Sequence, residues 1–129
     1  MGSQQSIPLA SYEEIIKYGS KSVLINTLPH THQSCLINNT LVADQEESTL
    51  NDLINSGSLN ERIIIYGRNC TDRTPYRKLE QLLKLGFNRV VIYPGGMLEW
   101  LLLQDAYGKK GFGTTGMIDD ILQFGPMHN

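Results

Sequence analysis

Cysteine is scarce in this 129-residue chain, which contains only Cys35 and Cys70. Small secreted domains usually depend on several disulfides, so two cysteines and the absence of a hydrophobic leader argue against a secreted, disulfide-stapled fold. We therefore expect a protein of the reducing cytoplasm. Cys35 lies within an apolar run, which predicts a small buried core residue.

Long hydrophobic runs and an excess of charge of one sign are missing as well. The longest apolar stretch, around Leu101 to Leu103, is interrupted by Glu99 and falls far short of the about 20 residues that span a membrane. Eleven Lys and Arg and 13 Asp and Glu give a formal net charge of -2, and the basic residues form no stripe along the chain. These features exclude nucleic acid as a general partner.

Two further stretches offer little chemistry of their own. His30 and His32 supply too few imidazoles for a metal site, so we expect a solvated loop there and neither a metal nor another cofactor. The segment 108–116 contains four glycines, which predicts a flexible surface loop that exposes Tyr107 and Phe112 to a partner.

What the chain does contain is a regular alternation of strand and helix patterns with short links between them. This alternation predicts a single α/β domain over 7–126, with a parallel sheet covered by helices on both faces. We expect a flexible N-terminus at 1–6 and a C-terminal tail at 127–129. Short apolar runs predict strands at 7–9, 23–26, 35–37, 63–66 and 90–93. Helices are predicted after Ser11, before Gly57, and over 75–85, 97–103 and 118–124.

The most informative segment follows the predicted strand 63–66. Its polar residues lead to Thr74, a plausible N-cap, and to Pro75 at the first position of a helix. The backbone N–H groups of such a loop are expected to converge on one point and to attract an anion. We therefore predict an anion-binding loop made of Gly67, Arg68, Asn69, Cys70, Thr71, Asp72, Arg73 and Thr74.

Motifs along most of the chain resemble a rhodanese domain. An apolar strand leads into a polar loop over 63–74, a helix ends in Leu82-Leu83-Lys84-Leu85-Gly86-Phe87, and Gly95-Gly96 is followed by Trp100. The stretch Cys35-Leu36-Ile37-Asn38 resembles, more loosely, the segment that leads to the third strand of that family. The resemblance implies a five-stranded parallel sheet flanked by helices on both faces.

The residue that this family uses for catalysis is missing. The family's catalytic cysteine follows directly on the strand and carries sulfur as a persulfide, whereas Gly67 occupies that position here. Five residues separate Gly67 from Arg73, a spacing that resembles the cell-cycle dual-specificity phosphatases of the same fold. The resemblance thus implies an anion cradle with Arg73 as ligand and no nucleophile. Asn26 and Leu28 also stand where the family often has an Asp and an Arg.

Two functions follow from these residues. Gly67 favours a rhodanese-like binding or regulatory module, without sulfurtransferase activity, whose partner is a protein or a small anion. The alternative is a thiosulfate sulfurtransferase or phosphatase-like enzyme that uses Cys70 as nucleophile and Arg73 as anion ligand. In the simplest interpretation, Cys70 is an incidental loop thiol and Arg73 only ties down the loop through carbonyl groups and Asp72.

The first six residues match the pattern for N-myristoylation, with Gly2 exposed after removal of Met1 and Ser6 at the hydroxyl position. A single myristoyl chain gives only marginal membrane anchoring, and no polybasic run follows it in the sequence. Two interpretations stay open: a peripheral membrane tether through Gly2, or a short disordered start to the chain.

Overall fold

Four short parallel strands form the centre of the structure, a computed structural model that describes residues 8–126. The strands are β1 Val23–Asn26, β2 Thr40–Leu41, β3 Ile63–Tyr66 and β4 Val90–Tyr93. Their order in the sheet is β2-β1-β3-β4, and every neighbouring pair is parallel. All four residues of β3 are buried, as expected for a central strand that is covered on both faces.

Helices cover both faces of this sheet, so the predicted α/β class is confirmed. No helix among residues 8–126 has the length and apolar character needed to cross a bilayer. The helices are α1 Tyr12–Tyr18, α2 Ala43–Asn55, α3 Thr74–Lys84 and α4 Gly96–Tyr107. Short 3-10 turns cover Gly19–Lys21, His30–His32 and Ile121–Phe124.

The side chains of β3 alternate between the two halves of the core. Ile63 and Ile65 pack with residues of α2 and α3, whereas Ile64 and Tyr66 pack with residues of α1, α4 and the last 3-10 turn. This alternation follows from the two-residue period of a strand. The helical partners are Leu50, Leu79 and Leu82 on one face, and Ile15, Met97, Trp100 and Phe124 on the other.

Local residues set the two ends of α3 close to the predicted 75–85. Pro75 lies in the first turn, where its missing N–H costs no hydrogen bond. At the other end Gly86 adopts a φ of 104°, its N–H donates to the Leu83 carbonyl, and the Phe87 N–H donates to the Leu82 carbonyl. This pair of bonds is a Schellman motif, which favours glycine because of the positive φ.

The predicted five-stranded sheet is not formed within residues 8–126, where the sheet has four strands. The expected strand 7–9 is reduced to a single parallel bridge between Leu9 and Ile92. The Ile92 N–H donates to the Pro8 carbonyl, and the Ala10 N–H donates to the Ile92 carbonyl. Pro8 has no N–H with which to extend the ladder, and the chain before it lies outside the described residues.

The prediction of a strand at 35–37 is wrong. The strand that pairs with β1 in this part of the chain is β2, which begins three residues later at Thr40. Residues 35–37 are buried, but they pair with the segment after α4 instead of the sheet. The Leu36 N–H donates to the Thr115 hydroxyl, and Ile37 forms an antiparallel bridge with Thr114. An apolar run shows that a segment is buried and does not distinguish a strand from a buried connection. Cys35 is buried in this connection, as expected.

The segment after α4 packs against the core, which contradicts the predicted exposure of Phe112. The Phe112 ring is buried and meets Trp100 edge-on, with ring centroids 5.2 Å apart. The Trp100 indole N–H donates to the Gly113 carbonyl over 3.1 Å. The helix predicted at 118–124 is only the 3-10 turn at its end.

The hydroxyl of Tyr66 joins the sheet to the connection that precedes β2. It accepts a hydrogen bond from the Ile37 N–H over 3.1 Å and lies 2.9 Å from the Thr40 hydroxyl. Burial of the whole side chain raises the pKa of Tyr66 well above its ordinary value. The hydroxyl is therefore neutral at physiological pH and serves as a structural partner.

Replacing Tyr66 with Phe should lower the free energy of unfolding by about 1–3 kcal/mol, because the buried Ile37 N–H loses its acceptor. Urea denaturation followed by circular dichroism measures the change. Tyr107→Phe is the matched control, since Tyr107 is 75% exposed, and it should change stability by less than about 0.5 kcal/mol. Equal stability of the two variants would contradict a structural role for the Tyr66 hydroxyl.

Candidate functional site

The loop between β3 and α3, residues 67–73, lies at the carboxyl edge of the sheet and is held there by the start of α4. The Met97 N–H donates to the Gly67 carbonyl, and the Leu98 N–H donates to the Arg68 carbonyl. Gly96 makes this approach possible: its φ is 64°, and a Cβ atom there would lie 2.6 Å from the Gly67 carbonyl oxygen. The Gly95-Gly96 turn thus lets the first N–H groups of α4 hydrogen-bond to the loop.

The carboxylate of Asp72 occupies the centre of the β3–α3 loop. Its Oδ2 atom accepts the Arg68 N–H over 2.9 Å, and its Oδ1 atom accepts the Thr74 N–H over 2.9 Å and the Thr74 hydroxyl over 2.8 Å. Two of the loop's N–H groups therefore do converge on a negative charge. That charge is part of the chain.

The absence of a side chain at position 67 makes this arrangement possible. A Cβ atom built on Gly67 would lie 2.3 Å from Asp72 Oδ2 and 3.0 Å from Pro75 Cγ. A cysteine at the end of β3 could not coexist with the present position of the carboxylate. Asp72 fills the space into which a side chain at position 67 would project.

Two successive tripeptides of the form Asx-x-Thr shape the loop. The Asn69 Oδ1 atom accepts the N–H and the hydroxyl of Thr71, at 2.9 and 2.6 Å, just as Asp72 Oδ1 does for Thr74. Asx turns of this kind favour a tight turn in which the side chain accepts the hydrogen bond of a backbone N–H two residues later. The repeat is visible in the sequence and is the pattern by which these two roles could have been predicted.

The side-chain NH₂ group of Asn69 and the guanidinium of Arg68 bind the loop to the last 3-10 turn. The buried Asn69 amide donates to the Phe124 carbonyl over 2.7 Å, and the Arg68 guanidinium donates to the Gln123 carbonyl. The Phe124 ring is fully buried and meets His32 edge-on. Both polar side chains therefore serve structural roles.

Cys70 and Arg73, the residues predicted to carry chemistry, both point away from the core. Both residues are exposed, and within residues 8–126 the Arg73 side chain forms neither a hydrogen bond nor an ion pair. Arg73 does not pair with Asp72, whose carboxylate bonds to backbone N–H groups and Thr74 instead. The same part of the chain contains no group of three residues suited to hold a metal, and Gly2 lies outside it.

A neutral amide network between Asn26 and Gln33 lies at this edge of the sheet. The buried Asn26 amide donates to the Gln33 Oε1 atom and to the Leu41 carbonyl, both at 3.0 Å. Its oxygen accepts the Gln33 amide over 2.7 Å and the Leu28 N–H over 3.1 Å. Two amides satisfy each other's donors and acceptors, so this edge needs no buried ion pair.

Beside the loop lies a cavity of about 430 Å³, here called the β1–β3 crevice. The chain leaves β1 toward β2 and leaves β3 toward β4, in opposite directions, and ligands of open α/β sheets bind at such switch points. The Thr74 and Thr27 hydroxyl oxygens, which lie 2.7 Å apart, form one wall. The charged residues around the crevice are Glu46, Glu47, Arg77 and Lys78, and the His30 side chain lines it as well.

Comparison with known proteins identifies the fold and leaves the function open. The solved structure of the Alr3790 protein from Anabaena sp. is similar, with a TM-score of 0.54 and 18% identity over 85% of this chain and 82% of that chain. At this identity the likeness concerns the fold alone. No protein-family model and no curated protein sequence matches the chain.

A double-mutant cycle tests the fit between Gly67 and Asp72. Gly67→Ala should lower the free energy of unfolding by about 1–3 kcal/mol through overpacking. Asp72→Ala should cost a similar amount, about 1–3 kcal/mol, because two N–H groups lose their acceptor. The double variant should lose less stability than the sum of the two single losses, by about 0.5–3 kcal/mol, since the added methyl group then meets no carboxylate.

Denaturant titration of the four proteins measures this coupling. Asp119→Ala removes an exposed carboxylate and serves as the matched control for Asp72→Ala. Strict additivity of the two substitutions would show that the Gly67 position and the carboxylate do not compete for space.

Proposed function

We propose that this protein is a rhodanese-like domain that binds a partner through the carboxyl edge of its sheet and has no sulfurtransferase activity. The observation that carries this proposal is the Asp72 carboxylate at the centre of the β3–α3 loop. Family membership and binding activity each have their own support.

The topology supports the family assignment. The motif-bearing loop follows the central parallel strand, and the Gly-Gly-x-x-x-Trp motif begins the helix that supports it. The bridge of Leu9 to β4 occupies the place where a fifth, edge strand would lie. The segment 35–38 leads into β2, just as the corresponding segment of the family leads into that family's third strand.

The internal carboxylate argues against catalysis by a thiolate. A persulfide or phosphocysteine intermediate needs a ring of N–H donors that is free to stabilise its negative charge. In this loop the Arg68 and Thr74 donors are already bound to Asp72. A second anion at the same point would also be repelled by the carboxylate.

Binding is supported by two arginines at the start of α3, one of which, Arg77, lines the β1–β3 crevice. Arg73 and Arg77 lie one helical turn apart and are exposed, and within residues 8–126 neither forms an ion pair. Lys78, in contrast, is neutralised by Glu46 over 2.6 Å. Guanidinium groups recognise carboxylate and phosphate oxygens well, so the two arginines suit an anionic group of a protein partner or a small anion.

The enzymatic alternative relies on Cys70. This thiol is exposed and therefore open to reagents, but it lies three residues beyond Gly67, the position directly after β3 at which the family's nucleophile would stand. Placement errors of about 1 Å already cost much of the rate in nucleophilic catalysis. Binding is the function that the geometry of the loop supports better.

A thiosulfate-to-cyanide sulfurtransferase assay tests the absence of catalysis. The purified protein should show no turnover above that of the Cys70→Ser variant, and mass spectrometry after thiosulfate treatment should find no extra sulfur atom on Cys70. Gly67→Cys should not create activity, because Asp72 occupies the site. Robust turnover that disappears in Cys70→Ser would instead establish the enzymatic alternative.

Titration with inorganic phosphate, followed by NMR, tests the binding site. Resonances of Arg73 and Arg77 should shift on titration. The amide resonances of Arg68 and Thr74 should not shift, because these N–H groups remain bound to Asp72. Arg73→Ala/Arg77→Ala should weaken binding about tenfold or more, since each charged hydrogen bond contributes about 1.5–3 kcal/mol.

Lys84→Ala, which removes a positive charge from the end of the same helix, is the control and should bind phosphate as the native chain does. Unchanged affinity in the double arginine variant, or shifts centred on the Arg68 and Thr74 amides, would count against the proposed site.

A further inference from the structure

Four cations from separate parts of the sequence meet at the amino edge of the sheet, opposite the β3–α3 loop. Lys17 and Lys21 come from the end of α1 and the turn after it, and Arg62 and Arg89 directly precede β3 and β4. Three of them border a cavity of about 310 Å³. These four residues are here called the basic face.

The ring of Tyr18 holds two of these cations together. The Arg62 guanidinium lies 4.3 Å from the ring centroid and the Lys17 ammonium 5.2 Å from it, both within the range of cation–π attraction. Arg89 donates to the Asn60 carbonyl, which places its guanidinium beside the same cavity.

Acidic residues do not neutralise the basic face. Glu61 lines the cavity and Glu13 precedes Lys17 by one helical turn, yet within residues 8–126 none of the four cations forms an ion pair. The face therefore carries an excess of positive charge although the formal net charge of the chain is -2.

The first described residues, Pro8 to Ala10, approach the sheet from this edge. Pro8 to Ala10 run parallel to β4, so the chain arrives at Leu9 from the side on which the strands begin, the side of Arg62 and Arg89. The sequence that precedes Pro8 carries the N-myristoylation pattern at Gly2. One acyl chain alone gives only marginal anchoring, and a basic surface is the kind of second signal that makes it stable.

We propose that the basic face docks on an anionic phospholipid bilayer. Phosphate and carboxylate headgroups complement its charge, and Tyr18 supplies an aromatic ring suited to the headgroup region. The contact holds the amino edge of the sheet against the bilayer and leaves the β3–α3 loop facing away from it. Lipidation of Gly2 would strengthen the contact but is not required for the charge attraction.

Co-sedimentation of the full, unmodified chain with vesicles tests this proposal. Binding should be measurable with phosphatidylcholine vesicles that contain phosphatidylserine, absent with phosphatidylcholine alone, and weaker at higher salt because the attraction is screened. Lys17→Gln/Lys21→Gln should reduce the partition coefficient about 25-fold, since each cation near the surface contributes about fivefold. Thermal unfolding verifies that this variant is folded.

Arg73→Gln/Arg77→Gln makes the same change of net charge at the opposite edge and should leave vesicle binding unchanged. This control separates the two proposals, because the phosphate titration depends on those arginines and the vesicle assay does not. Retained binding by the lysine variant, loss of binding in the arginine variant, or equal binding to both kinds of vesicle would overturn the proposal. Competition by free phosphate beyond its effect on ionic strength would also overturn it, by indicating a soluble phosphate ligand.

Discussion

The hydrogen bonds of the Asp72 carboxylate are the constraint on which the candidate site depends. A loop that joins a buried strand to a helix presents backbone N–H groups that need an acceptor. Asp72 provides it for Arg68 and Thr74, and its position is possible only because Gly67 has no side chain. The glycine and the aspartate are therefore one structural solution: either residue alone would leave a clash or unpaired donors.

This solution changes where charge is available. In a catalytic loop of this kind, the negative charge would belong to a nucleophile or substrate at the centre, and the arginine would turn toward it. Here the centre is filled and the Asn26–Gln33 amide network needs no counter-ion. Arg73 and Arg77 are consequently left on the outside, where they can meet an anion that belongs to another molecule.

Local patterns explain which parts of the fold could be predicted from the sequence. The bounds of β3 and α3 were accessible because the apolar run, Pro75 and Gly86 act on their immediate neighbours. The burial of Phe112 was not, because it depends on the distant Trp100, whose indole N–H needs the Gly113 carbonyl as acceptor. The carboxylate of Asp72 lies between these cases: its Asx-x-Thr pattern is local, but its competition with a side chain at position 67 is visible only in three dimensions.

The polarity of a parallel sheet explains why the two proposed surfaces are separate. All strands begin at one edge and end at the other, so residues that precede strands, such as Arg62 and Arg89, gather opposite the loops that follow strands. A strand of four residues spans about 13 Å, which exceeds the screening length of about 8 Å at physiological salt. A bilayer at the amino edge and an anionic partner at the carboxyl edge would therefore neither compete for the same cations nor repel one another strongly. Both contacts can form on one small domain at the same time.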